Sequence, residues 1–530
     1  MDAQSPLVAK GWQTVPTFLL QRKRSNLRLF LTIFAGALCL VPLLTISGTI
    51  FGFGAVFAIA GLIVLVAVVI RWPLFGFFVG LGCTLLIDQD PLPLLYNFSN
   101  VYIFHWPSAL QGLPDRPIGF FLLLVLLGFI IQRLLKREKW LQGGALLFPY
   151  LFFFLCVAWG IFHGLTTGGD FKIMVNEVRS FWYLFLGYLL AYNLIYSKKQ
   201  LRLFFWFIII CAGLKALEGV YIYVFVIQGD LTHNHQIMAH EESYFWIAIL
   251  LLITLFSLYY KYKPQLYASL LITPFLLLAL IANNRRADFV ALLAGVLVAW
   301  VLIFAIKPEA RKFLATVLII ALLFGGAYVA AFYNGQGGLS SPARAIVSVF
   351  HADPTDAASN LYRNIENYDL RYTVKLNPMG LGFGKQFLEP VLLPDISNLD
   401  PVYTYIPHNT VYWIWMRLGP IGYLAFWNLF GAMIVRGCLY ARQLKDKYLK
   451  LIAIYVAAML IMEIIVAFAD YQLFFYRNVI YIGLLAGILL KLPFIDKAEA
   501  LVPQTPTVTV VPGQRVLPEG SSLSSPVLKV

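Results

Sequence analysis

Apolar windows of about 20 residues, the length that crosses a bilayer as a helix, recur without charges along most of the chain. They constrain the fold more than any other feature. Hydrophobic residues make up 60% of the sequence and charged residues only 12%, which is far more apolar than the composition of a soluble domain. We therefore predict an all-α polytopic membrane protein.

The windows fit about fourteen membrane-spanning helices with one large polar loop between them. A basic segment precedes the first window, which we interpret as a retained helix. The tail is rich in Pro, Val, Ser and Thr and has no helical period, so it is expected to be disordered. The predicted regions are an N-terminal cytoplasmic segment 1–27, a transmembrane bundle 28–332, a large extracytoplasmic loop 333–410, transmembrane helices 411–492 and a cytoplasmic tail 493–530.

Basic residues are distributed in a way that predicts the orientation of the helices. Short links rich in Lys and Arg fall on alternate sides of the predicted spans, and the positive-inside rule places these links and both termini in the cytoplasm. Examples are Arg71, Lys198, Arg202, Lys307 and Arg436. The formal charge of +14 is therefore explained by membrane orientation, and no nucleic-acid partner is expected.

The polar segments on the opposite side carry charged residues that orientation does not require. These residues are Arg179, His233, His235, His240, Glu241, Glu242, Arg285, Arg286, Arg363, Arg371 and His408. Basic residues are disfavoured on that side, so they need another reason to be there. This side is the expected location of a functional site.

Metal binding has one candidate in these segments. His233, His235 and His240 could form a zinc site with Glu241 or Glu242. They could instead contact sugar or lipid headgroups. The five cysteines lie in apolar stretches without a CxxC pair, so neither disulfides nor a cysteine metal site is expected.

The large loop contains a predicted amphipathic helix at residues 356–375, after the helix-start signal Asp353-Pro354-Thr355-Asp356. Within it, Arg363, Asn367 and Arg371 follow a spacing of four residues and would share one face. The helix is expected to end at Asn377-Pro378, because proline disfavours helical backbone before it.

A glycine-rich run, NPMGLGFGK, follows that helix. Gly380, Gly382 and Gly384 alternate with other residues, a pattern that allows tight turns and lets backbone N–H groups approach an anionic ligand. A nucleotide-binding P-loop is excluded, because Met379 takes the place of its first glycine and Gln386 follows the lysine.

Three segments in order carry a family resemblance: NNRRADFVALLAGVL, then LYRN followed by NPMGLGFG, then PHNTVYWIWMRLGPIGY. Over about residues 280 to 435 the chain resembles the O-antigen ligase and polymerase family of bacterial envelope enzymes. The first segment has an arginine that opens a helix, and the last is similar to the family's His-Asn motif. The stretch HNHQIMAHEE matches no pattern of the family.

The resemblance implies a GT-C-like fold in the bacterial inner membrane, with an extracytoplasmic active site. It implies transfer from a polyprenyl-diphosphate-linked glycan donor to a hydroxyl of a lipid-linked or core glycan acceptor, among membrane lipids. A ligase and a polymerase share this chemistry and differ in acceptor. A capsule or exopolysaccharide polymerase and a protein-directed oligosaccharyltransferase of similar fold also stay open.

Residue types on the polar side suit this chemistry. His408 is the expected general base, since an imidazole can accept a proton near neutral pH. Arg286 and Arg363, with Arg179, are expected to clamp the diphosphate, because a guanidinium binds phosphate in bidentate fashion. Arg285, Asn409 and Arg371 are further candidates for substrate binding, with Asn409 also a possible helix cap. Neither a metal nor a cofactor is expected, and the simplest mechanism is a single inverting displacement.

Simpler roles exist for several of these residues. One of Arg285 and Arg286 could be a headgroup anchor, and Arg363 could form a salt bridge within the loop. Arg179 could pair with Glu177 or Asp170.

A different functional class is a transporter or flippase of lipid-linked glycans. Lys215, Glu218 and Glu463 favour it, because ionisable residues within spans often mark a substrate or ion path. Lys215 and Glu218 are three residues apart and could instead neutralise each other. The one-sided polar residues and the lack of an internal repeat favour the enzyme.

Overall fold

The computed structural model describes residues 53–88, 103–104, 113, 115–139, 141–229, 236–335, 340–348, 357–397 and 401–501. In these ranges all regular secondary structure is helical, which confirms the predicted class. The N-terminal segment 1–27, the beginning of the predicted bundle and residues 502–530 of the predicted tail lie outside the described residues.

The described ranges contain fifteen α-helices. The first eight are α1 (Phe53–Arg71), α2 (Pro73–Leu86), α3 (Pro117–Leu135), α4 (Leu147–Thr166), α5 (Phe171–Leu194), α6 (Lys198–Tyr221), α7 (His240–Leu258) and α8 (Lys263–Asn283). The others are α9 (Arg286–Ile306), α10 (Arg311–Phe332), α11 (Ser341–Val347), α12 (Ala357–Leu376), α13 (Thr410–Gln443), α14 (Lys447–Ala467) and α15 (Tyr476–Leu501). A π-helical turn, Ile222–Val226, extends α6, and a 3-10 turn, Pro308–Ala310, precedes α10.

Ten of the helices described here are long and apolar enough to cross a membrane, or up to eleven spans if a bent pair counts as one. The bent pair is α1 and α2, which meet at 118°. Pro73 begins α2 directly after Trp72 and supports the sharp change of direction. By itself α2 has only 14 residues and covers roughly 21 Å, which is shorter than the membrane core of about 30 Å. The predicted number of about fourteen spans is therefore not confirmed.

The region between α10 and α13 corresponds to the predicted large loop, and its described residues include α11 and α12. The predicted helix at 356–375 is confirmed as α12, which ends directly before Asn377-Pro378. The predicted start of the tail is wrong, because α15 continues to Leu501 with Pro493 inside it. Residues 493–501 are thus helical.

The centre of the bundle is formed by α14 and α15, which are buried along most of their length. Gly483 of α15 faces α5 so closely that a Cβ there would lie 2.2 Å from the carbonyl oxygen of Leu184. Small residues allow such backbone contact between membrane helices. By contrast, α10 is peripheral, with Leu314 as its buried residue.

Links that were predicted to share the cytoplasmic side meet in space. The Lys198 ammonium, at the start of α6, forms an ion pair with Asp446, directly before α14. The Arg202 guanidinium lies over the rings of Tyr262 and Tyr448, 4.8 and 5.6 Å from their centroids. We call this side of the bundle the basic end. The first residues of α7, α9 and α13 lie at the opposite end.

A break divides α13 into an outer arm, residues 410–418, and an inner arm, residues 420–443. Gly419 has φ 66° and ψ −171°, and Pro420 follows it. Because proline has no N–H, the carbonyl of Met416 loses its partner within the helix. The N–H of Leu381 donates to that carbonyl at 2.6 Å, and the N–H of Gly382 donates to the carbonyl of Arg417 at 3.1 Å. A loop from outside the helix therefore repairs the break.

Candidate functional site

His408 lies directly before α13, in a position fixed by its neighbour Asn409. The side-chain oxygen of Asn409 accepts from the N–H of Tyr412 at 3.0 Å, which confirms the predicted helix cap. Its amide nitrogen donates to the side-chain oxygen of Asn367 on α12 at 2.9 Å. Both polar atoms of Asn409 are therefore used to attach the start of α13 to α12.

The partner of His408 is Glu366, a buried residue of α12. One carboxylate oxygen lies 3.1 Å from Nδ1 of His408, and the other accepts from the His408 backbone N–H, also at 3.1 Å. With Nδ1–H donating to the carboxylate, the lone pair is on Nε2. This is the arrangement in which a carboxylate orients a histidine base. The sequence analysis did not include Glu366, although it lies one helical turn from Arg363.

Two tyrosines confine the imidazole ring of His408. The ring of Tyr471 stacks on it at 4.4 Å between centroids and 27° between planes. The ring of Tyr362 meets it nearly edge-on at 5.6 Å. The side chain of His408 keeps 18% of its surface exposed. The ring is thus held in orientation and stays accessible.

Asp470, between α14 and α15, is the acidic centre of the second part of the site. It forms an ion pair with Arg285, directly before α9. Its carboxylate also lies 3.2 Å from Nδ1 of His240, whose Nε2 lies 3.0 Å from Arg285 Nη1. Burial alone would raise the pKa of Asp470, but Arg285 and the two histidines, His240 and His408, hold that pKa well below its usual range. Asp470 was also missed by the sequence analysis.

Arg286 and Arg363 complete the cationic part of the site. A terminal nitrogen of Arg286 lies 3.5 Å from the side-chain oxygen of Asn360. Within the described residues Arg363 forms neither an ion pair nor a hydrogen bond, and its Nε is buried. Burial lowers the pKa of the Arg363 guanidinium. The charges of Asp470 and Glu366 oppose this change, and those of Arg285 and Arg286 add to it. The arrangement can receive an anion at Arg363.

We call His408, Glu366, Asp470, Arg285, Arg286 and Arg363 the site cluster. It unites four of the predicted site residues, and Asn409 adjoins it. Arg371 lies two turns beyond Arg363 on α12, where it is exposed and its Nε donates to the carbonyl of Asn367 at 3.1 Å.

Arg179, predicted as part of the clamp, is not brought into the site cluster by any contact in the described structure. Its Nε lies 3.7 Å from a carboxylate oxygen of Asp115, and its Nη1 donates to the hydroxyl of Tyr476 at 2.9 Å. Neither of its predicted alternative partners pairs with it. Glu177 forms an ion pair with Arg417, and Asp170 caps α5.

The predicted histidine group is only partly described. His233 and His235 lie outside the described residues, while His240 takes part in the hydrogen bonds around Asp470. In the ranges that the structure describes, no group of three or more His, Cys, Asp or Glu side chains could hold a metal ion. The four described cysteines are free thiols.

The glycine-rich run, which we call the glycine loop (residues 380–385), does not offer its N–H groups to a ligand. Those of residues 381–384 donate to protein oxygens, including the carbonyl of Gly160 and the carboxylate of Glu177. Gly380, Gly382 and Gly384 have φ of 95°, 79° and 78°, and a Cβ on any of them would lie 2.4 to 2.6 Å from backbone atoms of neighbouring segments. The prediction of an anion-binding loop is therefore wrong. These glycines allow backbone packing.

The charges that favoured a transporter are largely paired inside the bundle. Lys215 lies 2.6 Å from Glu218, which confirms the predicted pair, and 3.2 Å from Asp88. Arg477 of α15 lies 2.5 Å from Glu242 and 3.1 Å from Asp88. We call these residues, with Glu241 at 3.5 Å from Arg477, the buried charge network. Glu463 lies apart from it, fully buried on α14.

The comparison with protein families covers the part of the chain that carries most of the site cluster. Residues 269–427 match the model of the O-Antigen ligase family. The match begins in α8 and ends in α13, so it includes the start of α9, the whole of α12, and His408. No curated protein matches the sequence. The family match therefore confirms the resemblance to the O-antigen ligase and polymerase family over residues 269–427 of this membrane protein.

Proposed function

We propose that the protein transfers a glycan from a polyprenyl-diphosphate donor to a hydroxyl of a lipid-linked or core glycan acceptor. The site cluster would face the extracytoplasmic side of the bacterial inner membrane, with the basic end and both termini in the cytoplasm. The observation that carries this proposal is the pairing of His408 with Glu366 beside half-buried Arg363, which forms neither an ion pair nor a hydrogen bond with the described residues. The family match supports the same reaction type.

The arginines are assigned to the diphosphate. Breaking the bond between sugar and diphosphate develops negative charge on the leaving group, and fixed cationic donors stabilise that charge. Arg363 and Arg286 would bind the phosphate oxygens directly, with Arg285 held in place by Asp470. Since α9 and α13 both begin at the site cluster, their helix dipoles add positive potential there. No metal or cofactor is assigned to the reaction.

The histidine is assigned to the acceptor. Nε2 of His408 would accept the proton of the acceptor hydroxyl while its oxygen attacks the anomeric carbon. The bond from that carbon to the diphosphate oxygen breaks in the same step, and the electron pair leaves with the diphosphate. Glu366 would stabilise the imidazolium that forms. A single displacement of this kind inverts the configuration at the anomeric carbon.

Other predicted residues receive supporting roles or none. Asn409 is assigned to positioning, because both of its polar side-chain atoms bond to protein. Arg179 is not assigned to the clamp, since it is engaged with Asp115 and Tyr476. Ligase and polymerase activity share every step proposed here and differ in the acceptor.

The test is an in vitro transfer assay in detergent with a polyprenyl-diphosphate-linked oligosaccharide, in the presence of EDTA. The variants His408→Ala and Arg286→Ala should lose transfer, and Glu366→Gln should retain a reduced rate. Arg202→Ala is the matched control, because Arg202 is an arginine at the basic end. It should transfer like wild type.

Transfer that resists EDTA and is lost in the two site variants would support a metal-independent glycosyltransferase. Loss of wild-type transfer with EDTA would overturn the metal-independent mechanism. Bilayer crossing of the donor lipid in vesicles, without transfer to any acceptor, would overturn the enzyme and favour the transporter.

A further inference from the structure

An ion pair lies inside the bundle on the arm of α13 that follows His408. A terminal nitrogen of Arg417 on α13 lies 2.5 Å from a carboxylate oxygen of Glu177 on α5. Arg417 is 1% exposed and Glu177 is fully buried. Neither residue belongs to the site cluster.

Arg417 uses every terminal N–H of its guanidinium. Nη1 donates to the carbonyls of Gly382 and Lys385 at 3.0 and 2.7 Å, and Nη2 donates to the carbonyl of Tyr405 at 2.7 Å as well as to Glu177. A lysine ammonium has three donors on one atom and cannot reproduce this planar set of four bonds. The side chain thus connects the glycine loop to the segment just before His408.

Glu177 holds the same loop from the other side. One carboxylate oxygen accepts from the N–H of Gly384 at 2.6 Å, and the other accepts from the indole N–H of Trp413 at 3.2 Å. An ion pair that served only to neutralise buried charge would not need these backbone bonds. Here the other hydrogen bonds of both partners reach the glycine loop, Trp413 of α13 or Tyr405 in the segment before His408.

The segment after the glycine loop reaches both members of the histidine–glutamate pair. The N–H of Phe387 donates to the carbonyl of Thr404, four residues before His408. The N–H of Leu388 donates to the hydroxyl of Thr373 at 2.9 Å, and Thr373 lies on α12 two turns after Glu366. The positions of His408 and Glu366 therefore both depend on the position of this one segment.

We propose that Arg417 and Glu177 are positioning residues that fix the distance between His408 and Glu366 by anchoring the glycine loop. The proposal rests on the proposed function, since it assigns these residues to the same reaction. They contact no reacting group and act through the glycine loop and the residues that follow it, Phe387 and Leu388. Catalysis depends on such geometry, because a displacement of about 1 Å can cost on the order of 100-fold in rate.

The test compares Arg417→Lys and Glu177→Gln with wild type in the transfer assay, per amount of protein that elutes as a folded species in detergent. We expect kcat to fall by about 10- to 100-fold in Arg417→Lys, with KM changed by less than about threefold. Glu177→Gln keeps an oxygen acceptor and should lose less. The control is Tyr448→Phe, which removes a buried hydrogen bond to Gln265 at the basic end and should leave kcat unchanged.

A second measurement needs no substrate: the rate at which diethyl pyrocarbonate modifies His408, followed by mass spectrometry of its peptide. We expect several-fold faster modification in Arg417→Lys. The ring would lose the carboxylate of Glu366 that covers Nδ1, so a second ring nitrogen would become accessible to the reagent. Tyr448→Phe should react like wild type.

Unchanged kcat per folded protein in Arg417→Lys, or an unchanged rate of His408 modification, would overturn the positioning role and leave a purely structural ion pair. If Arg417→Lys does not fold, Glu177→Gln decides by the same two measurements. If wild type shows no transfer, the proposed function fails, and the modification rate still tests whether Arg417 fixes the histidine.

Discussion

The buried charge network and the site cluster both contain arginines and carboxylates, but they differ in how completely the charges are used. In the network, Arg477 contacts Asp88, Glu241 and Glu242 and also donates to the carbonyls of Thr84 and Leu85. In the site cluster, Arg363 forms neither an ion pair nor a hydrogen bond with the described residues, and its Nε is buried. Apart from Glu218, the network is closed to solvent, whereas the three arginines of the site cluster are partly exposed.

This difference separates charges that join helices from charges that are available to a ligand. A charge in the membrane interior is costly unless it is paired and hydrogen-bonded. Saturated bonding at Arg477 therefore indicates a structural role in connecting α2, α7 and α15. Arg363 interacts with the charges of Asp470 and Glu366 but makes no ion pair with either, so its burial beside two other arginines costs stability until an anion binds. The following variants test this distinction.

The largest expected effect is on stability, in Arg477→Met. Removing the guanidinium leaves the carboxylates of Asp88 and Glu242 with less compensation in a closed interior, a situation that costs about 3–5 kcal/mol. We expect a marked loss of folded protein and of melting temperature in detergent. Arg202→Met at the basic end is the control and should cost less than about 1 kcal/mol. An equal loss of melting temperature in the two variants would show that Arg477 stabilises the protein no more than Arg202 does, and would contradict its structural role.

Arg363→Ala should have the next largest effect, on activity alone. We expect transfer to fall by about 100- to 1,000-fold, the loss typical of removing one donor to developing negative charge. The melting temperature should stay the same or rise, since burial and the repulsion from Arg285 and Arg286 together outweigh the attraction of Arg363 to Asp470 and Glu366. A transfer assay and a thermal melt on the same preparation measure both. An Arg363→Ala protein that melts far below wild type would mean that Arg363 is structural.

Acid should weaken the site cluster through Asp470. The pKa of this carboxyl is lower in the folded protein than in the unfolded chain, so its contribution to stability is complete above the unfolded value of about 4. That contribution is lost as the pH falls through the folded pKa. We expect the melting temperature to decline below about pH 4 in wild type, and to decline less steeply in Asp470→Asn. Parallel curves for the two proteins would contradict the assigned ion pair.

The smallest effect is expected for Arg371→Ala. Arg371 is exposed and bonds to the backbone of its own helix, so its removal should change stability by less than about 0.5 kcal/mol and transfer by about twofold at most. The measurement is the same assay with saturating and limiting donor. A large rise in KM for the donor would restore Arg371 to the binding site that its spacing first suggested.

Local patterns predicted α12 and the cap at Asn409, because helix starts, helix ends and caps depend on residues a few positions apart. The partners of His408 and Arg285 could not be predicted in this way. Glu366 is 42 residues from His408, and Asp470 is 185 residues from Arg285. Only the packing of α12 and of the α14–α15 link on the bundle brings these side chains together.

The glycine loop and α2 show two other limits of sequence patterns. Alternating glycines indicate close backbone approach, but not whether the backbone approaches a ligand or a helix; here the loop packs on α4, α5 and α13. Apolar composition indicates that a helix is buried in lipid or protein, but it does not indicate the direction of the helix axis. The bend between α1 and α2 was therefore not predicted. Pro73 was the local signal for it.

The break at Gly419 has a mechanical consequence for a protein in a bilayer. Membranes of different thickness change the tilt of spanning helices, and a continuous helix would transmit that tilt along its whole length. In α13 the inner arm can tilt about the break, while the outer arm is bonded to the glycine loop through Met416 and Arg417. The outer arm begins beside His408, so a change of tilt in the inner arm would not be transmitted to His408.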